Sequence, residues 1–169
     1  MATSSLGLGL GPSLDPLVLL RCAPLLSSTC SLLYGWDQHF FLGLLHRQEN
    51  RRLIRPYFAS FFRRGLPFVL AALAVTSAGG IANLFVRCPS SSRPWYGAGL
   101  VLAAAHLLYV PLIAPVCQGL LLPEGRDGDG NDASLELRRW LCVNAWRTLT
   151  VDLGACIAFI VATTTSLRG

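Results

Sequence analysis

Two long stretches of this chain contain no charged side chain, and they limit what it can become. Residues 65–86 read GLPFVLAALAVTSAGGIANLFV, and residues 95–122 read WYGAGLVLAAAHLLYVPLIAPVCQGLLL. Each exceeds the about 20 apolar residues that a helix needs to cross the hydrocarbon core of a bilayer. A third stretch, from residue 140 to about 165, carries Asn144, Arg147 and Asp152 among Leu, Val, Ala, Ile, Phe and Thr. A first helix is expected from Leu17 to somewhere between Tyr34 and Leu45, with Arg21 near one end and Asp37, Gln38 and His39 near the other. Inside lipid every backbone polar group must be satisfied within the segment, so these runs are read as helices.

Composition agrees with that reading. Hydrophobic residues make up 53% of the 169, charged residues only 14%, and the mean hydropathy is +0.51, too apolar for a water-soluble domain of this size. The expectation is an all-α, four-helix transmembrane bundle: an N-terminal tail over residues 1–16, broken by Gly7, Gly9, Gly11, Pro12 and Pro16, and one membrane domain over 17–169. The tail does not read as a cleaved leader, because no basic residue precedes Arg21 and Asp15 and Pro16 interrupt its apolar run. Its glycines lack dinucleotide-fingerprint spacing.

The chain has no lysine, so its net charge of +5 comes from arginine alone. Arg47, Arg51, Arg52, Arg55, Arg63 and Arg64 lie in the first connection and Arg126, Arg138 and Arg139 in the third; Arg87, Arg93 and Arg168 lie on the opposite side. Nine against three places the first and third connections in the cytosol and both termini outside it or in a lumen, with the endoplasmic reticulum as one candidate membrane. Arginines set between apolar runs suit topology rather than nucleic-acid binding, which is excluded. The GRDGDGND segment of the third connection reads as an acidic loop.

Close helix packing in lipid relies on small residues at four-residue spacing. Three ladders offer it: Ala74, Ala78 and Ala82; Gly99 and Ala103; and Gly154, Ala158 and Ala162. On the last helix, steps of about 100° put Trp140, Asn144, Arg147, Thr148 and Val151 on one face, with Asp152 at its margin. On the third, His106 aligns with Tyr109, Ile113 and Cys117, and Pro111 and Pro115 would loosen the backbone just beyond it. A charged residue at mid-membrane costs about 2.5–3.5 kcal/mol on insertion scales, so it needs a partner or a task. Two readings stay open for Arg147 and Asp152: neutralising partners that fix bundle register, or members of a polar site. His106 reads first as an interhelical hydrogen-bonder and second as a proton carrier. Trp95, Tyr96 and Trp140, each opening a span, read first as interface anchors, and Trp36 likewise.

The six cysteines, Cys22, Cys30, Cys88, Cys117, Cys142 and Cys156, form no C-x-x-C pair, and no Cys/His spacing indicates zinc or an iron–sulfur centre. His39, His46 and His106 are not expected to share a metal. No nucleophile elbow, zincin or phosphate-loop motif occurs.

Three segments together resemble the small four-helix membrane proteins that include the anthrone oxygenases of aromatic polyketide pathways. They are W-x-x-x-N-x-x-R at Trp140, Asn144 and Arg147; PYFASFFRRG at residues 56–65; and HLLYVPLIAPVCQGLL at residues 106–121. The resemblance spans about residues 17–165. It implies a membrane protein that oxidises an anthrone to an anthraquinone with oxygen, with no metal or flavin cofactor. For such chemistry the facing positions suggest His106 as the base and Asn144 and Arg147 as holders of the phenolate or enolate oxygen, with Tyr109, Trp140, Thr148 and Asp152 expected to line the substrate. One departure is the R-T-L-T-V-D-L run at residues 147–153, whose acid could neutralise the arginine. The partners are then the bilayer, a lipophilic aromatic substrate, and other membrane proteins or a second copy of the chain. The alternative is a non-catalytic bundle that binds or scaffolds lipids or proteins. A transporter ranks third, since no internal repeat supplies alternating access. An enzyme should line one cavity of at least a few hundred Å³ with His106 and Asn144 together; a scaffold should be filled there.

Overall fold

The computed structural model describes residues 15–46, 52–86, 89–122 and 133–168. The glycine-rich tail up to residue 14, the acidic loop, Arg47, Arg51, Arg87, Arg126 and Cys88 lie outside the described residues. Four helices long and apolar enough to cross a membrane account for almost all the rest: α1 (Pro16–Gly43), α2 (Ile54–Phe85), α3 (Arg93–Leu121) and α4 (Ala133–Arg168). This fits an integral membrane protein.

Local chemistry explains the boundaries. Asp15 caps α1 by accepting the Leu17 N–H at 2.8 Å, and Pro16 occupies the first helical position, where a missing N–H costs nothing. Helix α2 begins eleven residues before its uncharged run, because Pro56 falls in the first turn and the aromatic segment that follows packs inward through Phe58. At 1.5 Å per residue its 32 residues extend to about 48 Å, well beyond a 30 Å hydrocarbon core. Its first turns, with exposed Arg63 and Arg64, therefore reach headgroup depth. Arg55 donates to the carbonyls of Gly119 and Leu122 at 2.7 and 2.8 Å, satisfying the C-terminal end of α3.

Each helix packs on its chain neighbours, and α1 closes the ring against α4. Two apolar clusters occupy the ends of the bundle. One gathers Leu42, Ile54, Phe58, Leu120, Leu137 and Trp140; the other gathers Tyr96, Ala103, Ala155, Phe159 and Ala162. Between them, at the middle of α1, α3 and α4, lies a polar layer.

Two of the three small-residue ladders pack as expected. Gly99 lies against the Phe159 ring, and Ala158 and Ala162 are buried. The Ala74–Ala78–Ala82 ladder does not: Ala74 and Ala78 face outward. Helix α2 instead turns inward the face bearing Ala72, Thr76, Gly79, Gly80 and Asn83. The reason is polar. The Asn83 amide needs carbonyl partners and finds Leu20 O at 2.8 Å and Gly79 O at 2.7 Å, while Gly79 admits Pro24. Tyr96 is also not an interface anchor. It is fully buried, with its hydroxyl against Arg21 O at 3.1 Å and Ser166 Oγ at 3.3 Å, in a knot that also joins Arg21 to Ser166 O. Trp140 is likewise inside, edge-on to Phe58, whereas Trp36 and Trp95 remain outward.

A Cβ at Gly99 would stand 2.7 Å from two carbons of the Phe159 ring, closer than packed atoms tolerate. Gly99→Ala is expected to destabilise the bundle by about 1–3 kcal/mol, and Phe159→Leu in the same chain to recover much of that, as read by thermal unfolding in detergent micelles.

Candidate functional site

The polar layer exists because two helices leave α-geometry at the same level. In α3, Pro111 has no N–H to give to the carbonyl of Leu107, and the N–H of Val110 bonds that carbonyl instead. The result is a tightened 3₁₀ turn over His106–Tyr109. In α4 the opposite happens. The Leu153 N–H reaches back to Thr148 O, five residues away, which makes Thr148–Asp152 a widened π turn. In an ideal α-helix Arg147 and Asp152 would lie about 140° apart. The widened turn carries Asp152 round from the margin to the face of Arg147.

The side chains meet across the two helices. Asp152 Oδ1 is 3.0 Å from His106 Nδ1, and its Oδ2 is 3.3 Å from Arg147 Nε. Arg147 Nη1 lies 3.4 Å from His106 Nε2. A guanidinium can only donate, so Nε2 accepts and the proton of the neutral ring sits on Nδ1, donated to Asp152. All three are largely buried. Tyr109 extends the layer through its hydroxyl, 3.0 Å from Thr150 Oγ1.

Helix α1 forms the third wall. Gly35 is bare because a Cβ there would come within 2.7 Å of Thr148 Oγ1 and 3.3 Å of Arg147 Nη2. Its carbonyl accepts the Asn144 amide at 3.1 Å. Gln38 Oε1, Asn144 Oδ1 and Thr148 Oγ1 are buried and make no hydrogen bond among the described residues. A buried polar atom left without a partner costs about 1–3 kcal/mol, so these three oxygen atoms are where the layer can still accept a hydrogen bond.

Two cavities touch the cluster. The first, of about 20 Å³, has room for about one water-sized molecule and is lined by Ser28, Ser31, Thr76, His106 and Asp152 with apolar neighbours. The second, of about 90 Å³, lies on the other side and is lined by Tyr34, Gln38, Phe61, Ile113, Cys117, Trp140 and Arg147, among others. Among the described residues the cavity that His106 lines is the small first one, and Asn144 is not part of its wall, unlike the shared cavity of about a few hundred Å³ expected of an enzyme. Asn144 is held against Gly35 O rather than facing that ring.

The structure thus brings together His106, Arg147 and Asp152, adds Tyr109 through Thr150, and puts Asn144 and Thr148 on α1. Trp140 reaches the layer only through the second cavity. The acid near the arginine pairs with it directly. Gly35 and Gln38 are the residues that reading the sequence missed. Ser28, Ser31, Gly35 and Gln38 recur every three or four residues on α1, and that stripe was the available signal. Among the described residues no three His, Cys, Asp or Glu side chains gather to hold a metal ion.

The chain is 30% identical over 156 residues to the probable epoxidase scpX of Mollisia scopiformis, covering 85% of this chain and 93% of that one. It belongs to that family. It is also 26% identical to the epoxidase pydX of an Acremonium species, over 87% of this chain and 93% of the relative, and 26% identical to the epoxidase gkaX of Penicillium citrinum, over 88% and 95%. No family model matches, and no solved structure does either. These relatives are named for epoxidation, so they meet the anthrone-oxygenase resemblance at the level of an oxidoreductase and not of a substrate.

Asp152→Asn leaves the buried Arg147 charge without its counter-ion, and a loss of about 3–5 kcal/mol is expected. Arg147→Met combined with Asp152→Leu removes both charges and should restore most of the stability, measured by unfolding in detergent. A double variant as unstable as the single one would contradict the pairing.

Proposed function

We propose that this protein is a membrane-embedded oxygenase that inserts oxygen from dioxygen into a lipophilic, unsaturated substrate, with the His106–Asp152–Arg147 cluster at its centre. The observation that carries the reading is the meeting of a 3₁₀ turn and a π turn on one buried His–Asp–Arg cluster, in a chain whose relatives are named epoxidases. Such irregular turns recur at functional sites, and ionisable groups at mid-helix are expensive without a use.

The roles follow from geometry. Asp152 orients the His106 ring and stabilises the imidazolium that forms when Nε2 takes a proton. For Nε2 to do so, Arg147 must give up its 3.4 Å contact, and its guanidinium is then released toward the oxyanion that deprotonation creates. Asn144 and Thr148 hold α1 and α4 together behind Arg147, while Trp140 and Tyr109 flank the layer. With an anthrone-like substrate the chemistry balances on dioxygen alone: the CH₂ group becomes C=O, one oxygen atom is retained, and the other leaves with the two hydrogens as water. With an alkene, epoxide formation needs two further electrons and two protons from a separate two-electron donor.

The second reading is a non-catalytic bundle, and one observation favours it. The cavity beside His106 holds no more than about one water-sized molecule. On that reading the cluster only fixes helix register.

Membranes containing the protein, supplied with emodin anthrone and oxygen, should form quinone. His106→Ala is expected to slow this by about 10²–10⁴-fold, with Asn144→Ala intermediate. The charge-free double variant Arg147→Met/Asp152→Leu should fold and yet be inactive. Equal conversion by all of them would leave the scaffold reading.

A further inference from the structure

A groove of about 490 Å³ opens on the outer face between α1 and α2, lined by Tyr34, Tyr57, Ser60, Phe61, Arg64, Gly65 and Phe68. The inner cavity of about 90 Å³ that touches Arg147 shares three of these residues, Tyr34, Phe61 and Gly65. Outer groove and inner cavity are therefore two sides of one wall. Joined, they reach the size range of small-molecule sites, about 300–1,000 Å³.

The wall is the Tyr34 ring. It lies 4.8 Å from the Phe68 ring and 6.1 Å from the Phe61 ring, and its hydroxyl rests where a side chain at position 65 would begin: a Cβ on Gly65 would fall 2.0 Å from it. The phenol rests on a bare glycine with the Gln38 side chain beside its hydroxyl, so turning the ring away would free both. Behind the wall the lining is aromatic, with Phe61, Phe62 and Trp140, and ends in two polar groups, Arg147 and Gln38. Gln38 is 5% exposed, and its Oε1 has no hydrogen bond among the described residues. An acceptor so buried calls for a ligand that donates. At the outer end the mouth is lined by Arg64 and Tyr57, a basic and an aromatic side chain of the kinds that anchor helices at a membrane–water interface.

We infer that the space between α1 and α2 is the substrate site: a planar lipophile bearing a hydroxyl enters sideways from the bilayer, swings Tyr34 off Gly65, and donates its hydroxyl to Gln38 Oε1 with its rings among Phe61, Phe62 and Trp140. This deepens the oxygenase reading and rests on it. It also supplies the room that the cavity beside His106 lacks, since Arg147 borders the inner space on one side and His106 on the other.

Trp140 reports on that space. It is 5% exposed, against 56%, 42% and 64% for Trp36, Trp95 and Trp146, so replacing those three with Phe leaves a single buried fluorophore. Emodin, added without oxygen to this protein in nanodiscs, should quench Trp140 saturably. Gly65→Leu, which fills the passage, should weaken the apparent affinity at least tenfold, and Tyr34→Ala should speed quenching at least threefold in stopped flow. Gln38→Leu should weaken emodin at least fivefold and leave unsubstituted anthraquinone unchanged. Far-ultraviolet circular dichroism and elution volume identify any variant that has merely unfolded. Quenching indifferent to both Tyr34 and Gly65 overturns the route, and so does equal quenching of Trp140 by a brominated phosphatidylcholine bilayer, which would make the space a lipid site. Saturable binding without quinone formation would leave this site standing and remove the anthrone-oxidising form of the oxygenase reading; quinone formation indifferent to Tyr34 and Gly65 would do the reverse.

Discussion

Much of this molecule follows from the cost of keeping a guanidinium in the middle of a greasy bundle. Arg147 meets that cost with Asp152, and Asp152 can serve only because α4 widens by one hydrogen-bond step to bring it round. The same carboxylate holds His106, whose position depends on the donor that Pro111 lacks. Gly35 on α1 then has to be bare to let Thr148 and Arg147 fit. One charge pair thus depends on the backbone of α3 and α4 and constrains the residue choice on α1.

The arrangement also separates two duties that a small bundle must combine. The clusters at either end, around Trp140 and around Tyr96, supply the apolar packing, and the one buried phenol among them, Tyr96, has its hydroxyl satisfied by Arg21 O and Ser166 Oγ. The layer between them holds oxygen atoms on Gln38, Asn144 and Thr148 that make no hydrogen bond among the described residues, a cost that packing elsewhere offsets. In lipid, where apolar burial drives helices together only weakly, close contacts such as Gly99 on Phe159 carry much of the association.

The four spans and the inward face of α4 were legible in the sequence, because uncharged length and a 3.6-residue period speak for themselves. So was the alignment of His106 with Cys117 on α3. What could not be read was rotation that depends on partners. The alanine ladder of α2 looked like a packing face, but Asn83 and its search for carbonyls turned the helix elsewhere. Asp152 was placed at a margin by ideal-helix arithmetic that a π turn invalidates. Tyr96 looked like an interfacial residue, and only its hydroxyl partners on α1 and α4 reveal it as core. Gly35 and Gln38 lie on α1 in a thin stripe with Ser28 and Ser31, which the apolar residues of its other faces dilute.

The tightened turn of α3 and the widened turn of α4 sit face to face at one depth. Backbone hydrogen bonding is least regular there on two adjacent rods at once, and the side chains bridging them are an ion pair and an imidazole rather than interlocked aliphatics. Any bending of these two rods should therefore concentrate at the charged layer, between the two packed ends.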